Sequence, residues 1–376
     1  MTASLTIVPL LGVPEVSEGD DVAALLLAAL GPGGLAAGDV VVVSSKVVSK
    51  ALGLRAAGSV GRVEVVLSES RRVVAERASG DQVTRVVESL AGPVMAAAGV
   101  DASNTGPSGA LLLLPHDPDA CARDLRSSLL SQAGMPSGAP VAVVLSDTAG
   151  RPWRAGLTDF ALGSAGLRVL LDHRGEADVD GRVLAVTARA VADEIASAAD
   201  LVKGKTDGVA AAVVRGLPRS WFEVLDDGCG SGAGDVVRVG AGDWFAMGHV
   251  EALRAVLGVD PGSADSEAVG IRSVAPEGMS ERIARVVALT LWADEDAGLD
   301  LELVDGSHHA AVAVLTLGAS DAFRLGRLTQ RLEVAAASED LATVGWGKPT
   351  AEHSITVTLT ARPVGESPVT ARGSTP

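Results

Sequence analysis

Residues 39–50, DVVVVSSKVVSK, decide how the rest of the chain is read. Four consecutive valines enter through the turn Ala37-Gly38 with no polar alternation, the pattern of a strand covered on both faces. Branched side chains favour the pleated backbone, so a strand over Asp39–Val43 is expected. The run then empties into Ser44-Ser45-Lys46 and Ser49-Lys50. Hydroxyls and ammonium groups at the end of a buried strand are placed to receive phosphate oxygens. The plain alternative is a solvated helix start with two surface lysines.

A second apolar run, VAVVL at 141–145, ends at Ser146-Asp147-Thr148. A carboxylate at the carboxyl end of a buried strand lies where open sheets collect ligands. Arg151 and Arg154 follow closely, and guanidinium groups suit carboxylate or phosphate; a structural loop is the plain alternative. A third polar cluster is GVDASNTG at 99–106. Asp101 and Asn104 there can hold a hard cation and a ligand hydroxyl, or bond their own backbone in an Asx-turn. Ala188–Val202 carries Val191, Ile195, Ala198 or Ala199, and Val202 at helical spacing and stops at Lys203-Gly204-Lys205, as a helix end favours. Asp193-Glu194 on that helix reads as a solvated face. Val209–Val214 is a further strand.

Composition narrows the classes. The chain has 376 residues, long for one core, with 47% hydrophobic residues, only 2% aromatic ones and no tyrosine. A formal charge of −16 excludes a phosphate-tracking nucleic-acid surface. It still permits an anionic nucleotide where metal ions and a few lysines offset the repulsion. Cys121 and Cys229 stand apart in no metal-like spacing, so a reducing compartment is expected. No basic region precedes the first apolar run, and no apolar stretch reaches membrane-spanning length. The expectation is a soluble cytoplasmic protein with no membrane or nucleic-acid partner.

The acidic, glycine-rich DDGCGSGAGD at 226–235 reads as a linker. Beyond it, helices are expected at Ser280–Trp292 and Asp321–Ala337, and strands at Leu299–Val304, Ala310–Leu317 and Ile355–Ala361. Asp305 with His308-His309 has metal-ligand chemistry, but neighbouring side chains in a strand point apart. Glu366–Pro376 is expected to be disordered. The fold class is therefore α+β: a mixed-sheet domain over 1–236 and a smaller α+β domain over 237–376.

Eight strings in register carry a family resemblance. Gly12-Val13-Pro14-Glu15 precedes Gly19-Asp20-Asp21, then SSKVVSK at 44–50, ESRRVV at 69–74 and AGVDASNTG at 98–106. LLLPHDPDA at 112–120, SDTAGRPWRAG at 146–156 and VADEIASAADLVKGK at 191–205 follow. The chain resembles the coenzyme F420-0:L-glutamate ligases, both the archaeal CofE type and the N-terminal domain of the actinobacterial FbiB type. The resemblance implies a CofE-like fold, a homodimer, and transfer of L-glutamate to F420-0, a deazaflavin, with GTP as activator. It implies Mg²⁺ or Mn²⁺, with K⁺ as a further ion. On matching positions it implies metal ligation by Asp101, Asp147 and Thr148, and nucleotide contacts from Ser45, Lys50 and Asn104. The loop Val13, Pro14, Glu15, Val16 would approach the nucleotide through its backbone. Arg151 and Arg154 are candidates for anionic substrate groups on chemical grounds, as catalytic residues beside Asp147. After Lys50 the family's glutamate is missing, with Leu52-Gly53-Leu54-Arg55 instead, which bears on substrate range. In the FbiB type an FMN-binding domain follows; here Arg272-Ser273-Val274 is succeeded by Ala275-Pro276 where further arginines would stand. A bifunctional ligase–reductase and a non-catalytic nucleotide-binding relative are the rival readings.

Overall fold

A computed structural model describes residues 4–57, 59–102, 110–205, 207–223, 230–292, 297–303 and 311–361. The chain divides into two compact units, Met1–Arg72 with Val86–Trp244, and Val73–Arg85 with Phe245–Pro376.

In the first unit the two valine-rich runs form the centre of a five-stranded sheet. Its order is Thr6–Pro9, Ala211–Arg215, Val40–Ser44, Ala142–Arg151, Arg154–Ala165. Val40–Ser44 and Ala142–Arg151 run parallel and the other pairings are antiparallel, so the sheet is mixed, as expected. The absence of alternation in the valine run is explained by cover on both faces. Val41, Val43, Val143 and Leu145 pack with Leu26, Leu125 and Leu129 of helices Val22–Leu30 and Pro118–Gln132. Val40, Val42, Ala142 and Val144 pack with Ala192, Ile195 and Ala199 of helix Val191–Lys203 on the opposite face. Each of these fully buried valines contributes on the order of 1.5–3 kcal/mol. The pairing register aligns Ser44 with Ser146, so the polar ends of both runs come level.

Local signals fix the helices. Asp21 accepts from Ala24 N at 3.1 Å, and Asp117 from Ala120 N at 2.8 Å, capping the first two helices. Gly204 ends the third with φ 62°, its N–H bonded to the Asp200 carbonyl at 3.0 Å. The expected helix start at Ala188 is corrected to Val191, because Ala188–Ala190 pairs instead with Leu170–Asp172. The strand end expected at Ser146-Asp147-Thr148 is also corrected. The strand runs on to Arg151, reverses through Pro152 and Trp153 (φ 60°), and returns as Arg154–Ala165. Polar side chains that bond across this hairpin hide it from hydropathy. Within 226–235, residues 226–229 lie outside the described residues, whereas the part from Gly230 is held in place. Asp119 accepts from Ala233 N at 2.7 Å and Gly234 N at 3.0 Å.

The second unit contains an antiparallel sheet ordered Gly298–Leu303, Ala311–Gly318, Ser354–Ala361, Leu341–Val344. Helices Met279–Leu291 and Ala322–Ser338 cover it through Leu289, Leu328 and Leu332 against Leu315, Leu317 and Leu359. The three expected strands and both expected helices are present within a residue or so. Its other ingredient is the tip of the hairpin Ser70–Ser79/Gln82–Ser89. There Glu76 and Arg85, both buried, pair at 3.1 Å; Glu76 also accepts from Gly262 N at 3.2 Å, and Arg85 reaches Glu267 at 2.9 Å. Deeper in the unit, fully buried Glu339 accepts from Arg254 at 2.7 Å and Arg285 at 2.9 Å. Asp305, His308, His309 and the stretch 366–376 lie outside the described residues.

Candidate active site

The level ends of the parallel pair bring the first two polar clusters together, and the third joins them. Ser45 opens helix Ser45–Ala51, with Ser45 and Ser49 buried and their hydroxyl oxygens unpartnered among the described residues. Lys46 pairs with Asp101. Asp101 is fixed by the backbone, its N–H reaching Leu112 O at 3.1 Å and its carbonyl accepting from Leu112 N at 2.8 Å. It is therefore held in a bridge to Leu112 rather than standing in an isolated turn. Lys50 is only 7% exposed and pairs with Glu15, which is not the solvated lysine of the plain alternative. The Val13–Val16 loop is anchored by buried Val16 in the core, leaving Pro14 and Glu15 at the surface.

Asp147 sits among these groups. Burial pushes its carboxyl up to about 6; the Thr148 backbone N–H opposes this, Asp159 adds to it, Lys46 opposes and Asp101 adds. A carboxylate so placed is short of positive charge.

Asp159 was not legible in the sequence. It lies opposite Thr148 on the returning strand. It accepts from Ser146 Oγ at 2.9 Å, Thr148 Oγ1 at 2.6 Å and Lys203 Nζ at 2.6 Å. Burial alone would raise its carboxyl, but the Lys203 ammonium and these donors hold it below the usual range. Lys203 also donates to Ser146 Oγ at 2.6 Å, and Lys205 donates to Thr148. The basic pair that ends the helix thus feeds the site as well as the helix dipole. Only the pairing register, which no spacing rule supplies, places Asp159 here.

Other expected residues fall elsewhere. Arg151 and Arg154 face each other at the exposed end of the hairpin. Four residues of strand put Arg151 roughly 13 Å beyond Asp147, outside its cluster. Asn104 lies outside the described residues. Asp193 is more than a solvated face, since it accepts from the edge-strand Ala161 N at 2.9 Å; Glu194 remains at the surface, paired with Arg189.

Among the described residues no three His, Cys, Asp or Glu side chains converge as a complete metal cage. Asp101 and Asp147 provide a partial set of oxygen ligands, while the Thr148 hydroxyl, on the other face of the strand, is held by Asp159 and Lys205. Such a set suits Mg²⁺ or Mn²⁺, which complete their shells with water and substrate phosphates. The high carboxyl of Asp147 fits a group that a cation would relieve.

Residues 11–216 match the family model described as F420-0:Gamma-glutamyl ligase, more than half of the chain. The chain belongs to the F420-0:γ-glutamyl ligase family. Among relatives, the coenzyme F420:L-glutamate ligase of Methanothermobacter thermautotrophicus is 40% identical over 238 residues, 58% of this chain and 90% of the relative. That of Natronomonas pharaonis is 39% identical over 267 residues, covering 63% and 96%. That of Archaeoglobus fulgidus is 37% identical over 249 residues, covering 61% and 95%. All three matches take in nearly the whole F420 ligase relative and leave a third or more of this chain outside. No helix among the described residues is long and apolar enough to cross a membrane.

Proposed function

We propose that this family member joins L-glutamate to F420-0 through an amide in the cytoplasm, using GTP with Mg²⁺ or Mn²⁺ and with K⁺ as a further ion. The observation that supports the reading is that Asp147, at the level ends of the Val40–Ser44 and Ala142–Arg151 strands, lies near Asp101 and its partner Lys46, inside the matched stretch. A carboxylate is a poor electrophile until its oxygen is made a leaving group. Phosphorylation of the acceptor carboxylate by GTP gives an acyl phosphate and GDP; the glutamate amine then displaces phosphate, losing a proton as the amide forms. Phosphoryl transfer asks mainly for positioning and charge neutralisation. Asp101 and Asp147 would hold the divalent ions, whose chemistry is to neutralise phosphate charge. Lys50 and Ser45 face the nucleotide in this reading, and the loop 13–16 borders it. Asn104 would complete the nucleotide contacts. Lys205, beside Thr148, adds positive charge. Arg151 and Arg154 would meet an anionic substrate group only at the hairpin end. A homodimer is part of the proposal, and its mass in solution checks it.

Mass spectrometry of a mixture of F420-0, GTP and glutamate decides the reaction. One or more glutamyl additions with matching GDP release are expected, and an unchanged acceptor overturns the reading. Lys50→Ala is expected to weaken GTP binding by about 1.5–3 kcal/mol, the worth of a hydrogen bond to a charged group. Calorimetry showing unchanged affinity would leave Lys50 as a structural partner of Glu15 alone.

The second unit is proposed to hold no FMN. Arg272, the arginine that a flavin phosphate would need, is committed to Asp340 at 2.6 Å and the Ser338 carbonyl at 3.0 Å. After incubation with FMN and removal of free ligand, the visible spectrum of the full chain should lack a flavin band. A stoichiometric band would restore the bifunctional reading.

A further inference from the structure

The first unit contains a cavity of about 250 Å³ at the edge strand Arg154–Ala165 of its sheet. Its apolar lining includes Pro93, Val94, Phe160, Leu162 and Val236. Phe160 lies directly opposite Asp147 in the hairpin, so the two side chains leave the same face of the sheet. Cross-strand partners have Cβ atoms roughly 4.5–5.5 Å apart, which makes the cavity wall and the Asp147 carboxylate immediate neighbours. Three acids also line the cavity, and each has a partner. Asp119 takes the backbone N–H groups of Ser164, Ala233 and Gly234; Asp193 takes that of Ala161; Asp243 pairs with Arg72 at 3.3 Å. Arg238 differs. Its guanidinium lies over the Trp244 ring at 5.9 Å, and among the described residues it has no carboxylate partner.

We propose that this cavity is the acceptor pocket of the ligase. It takes the apolar body of the carboxylate-bearing acceptor, while Arg238, seated on Trp244, binds an oxyanion of that acceptor. The inference rests on the function proposed above and adds a specificity residue to it. A planar guanidinium matches an oxyanion through two donors and keeps its ring contact, which a lysine would only partly reproduce. Phe160 of the pocket wall neighbours Asp147 across the hairpin, so an acceptor held there has its reacting carboxylate near the place where phosphate charge is to be neutralised.

Two variants test it. Arg238→Gln removes the cation, and Val94→Trp fills the cavity from a position that is 40% exposed, where folding tolerates a larger side chain. Each is expected to raise the KM for F420-0 about tenfold or more, as losing a charge-assisted contact implies. The KM values for GTP and glutamate should stay within about twofold, and Arg238→Lys should recover part of the loss. Unchanged acceptor KM in both variants overturns the inference, and a parallel rise for GTP overturns it by giving the cavity to the nucleotide. A wild-type chain without ligase activity sinks the reaction, not the pocket. Equilibrium dialysis of F420-0 against wild type and Val94→Trp then tests the pocket alone, and equal binding overturns it.

Discussion

Asp147→Asn should cut turnover by about 10²–10³-fold while making the metal-free protein more stable. The two effects have one cause. The folded carboxyl titrates near 6, above its ordinary 3.8, because burial and the nearby Asp159 and Asp101 outweigh the Thr148 N–H and Lys46. A raised carboxyl pKa means that the charged form is disfavoured by folding. The penalty is fully present above about pH 6, shrinks as pH falls through that value, and is gone below the unfolded value. Asparagine keeps the shape without the charge, so at pH 7 it should restore on the order of 1–3 kcal/mol. At turnover the same charge is needed, since it would hold a cation against the phosphates. Melting curves without metal and initial rates at saturating metal check both halves. Near-normal turnover would remove Asp147 from the metal site, and a lowered melting temperature would refute the electrostatic account.

Asp159→Ala should destabilise the chain by about 3–5 kcal/mol, because it leaves the Lys203 ammonium buried and unpaired. Both side chains are 4% exposed and meet at 2.6 Å. Replacing the pair together, Asp159→Leu with Lys203→Met, should recover most of that loss, since a matched apolar pair avoids burying charge. Activity should not recover with it. Ser146 and Thr148 would have lost the carboxylate that orients their hydroxyls, and both adjoin Asp147 in the strand. Urea denaturation of the three proteins beside their initial rates separates structural support from site geometry. Wild-type stability in Asp159→Ala would show that the pair is already solvated.

The strands and helices that sequence reading located are those whose partners are apolar. Residues 40–43 and 142–145 are legible because both faces meet aliphatic side chains, and Met279–Leu291 and Ala322–Ser338 because one face does. The hairpin after Ser146 was not, because its side chains answer one another by hydrogen bonds: Ser146 and Thr148 against Asp159 look like loop chemistry until the register is known. The site divides along the same line. Asp101, Asp147 and Lys50 sit in recognisable strings, whereas Asp159 is defined by its opposite number on another strand. Glu339 is similar, one acid that three arginines approach from distant positions.

The hairpin tip 73–85 bears on heredity. A run of chain at one end of a gene can be gained or lost in a single event, but this second unit is sewn from two stretches. The Methanothermobacter relative has only a tenth of its length outside its match, too little for a segment the size of 245–376. The bond from Glu76 to Gly262 and the pair from Arg85 to Glu267 tie the segment 245–376 to a hairpin in the middle of the matched stretch. Cutting the chain after Trp244 would leave Glu76 and Arg85 with only each other, without Gly262, Ser266 and Glu267. Tails exchanged between relatives should therefore succeed only when residues 73–85 travel with them.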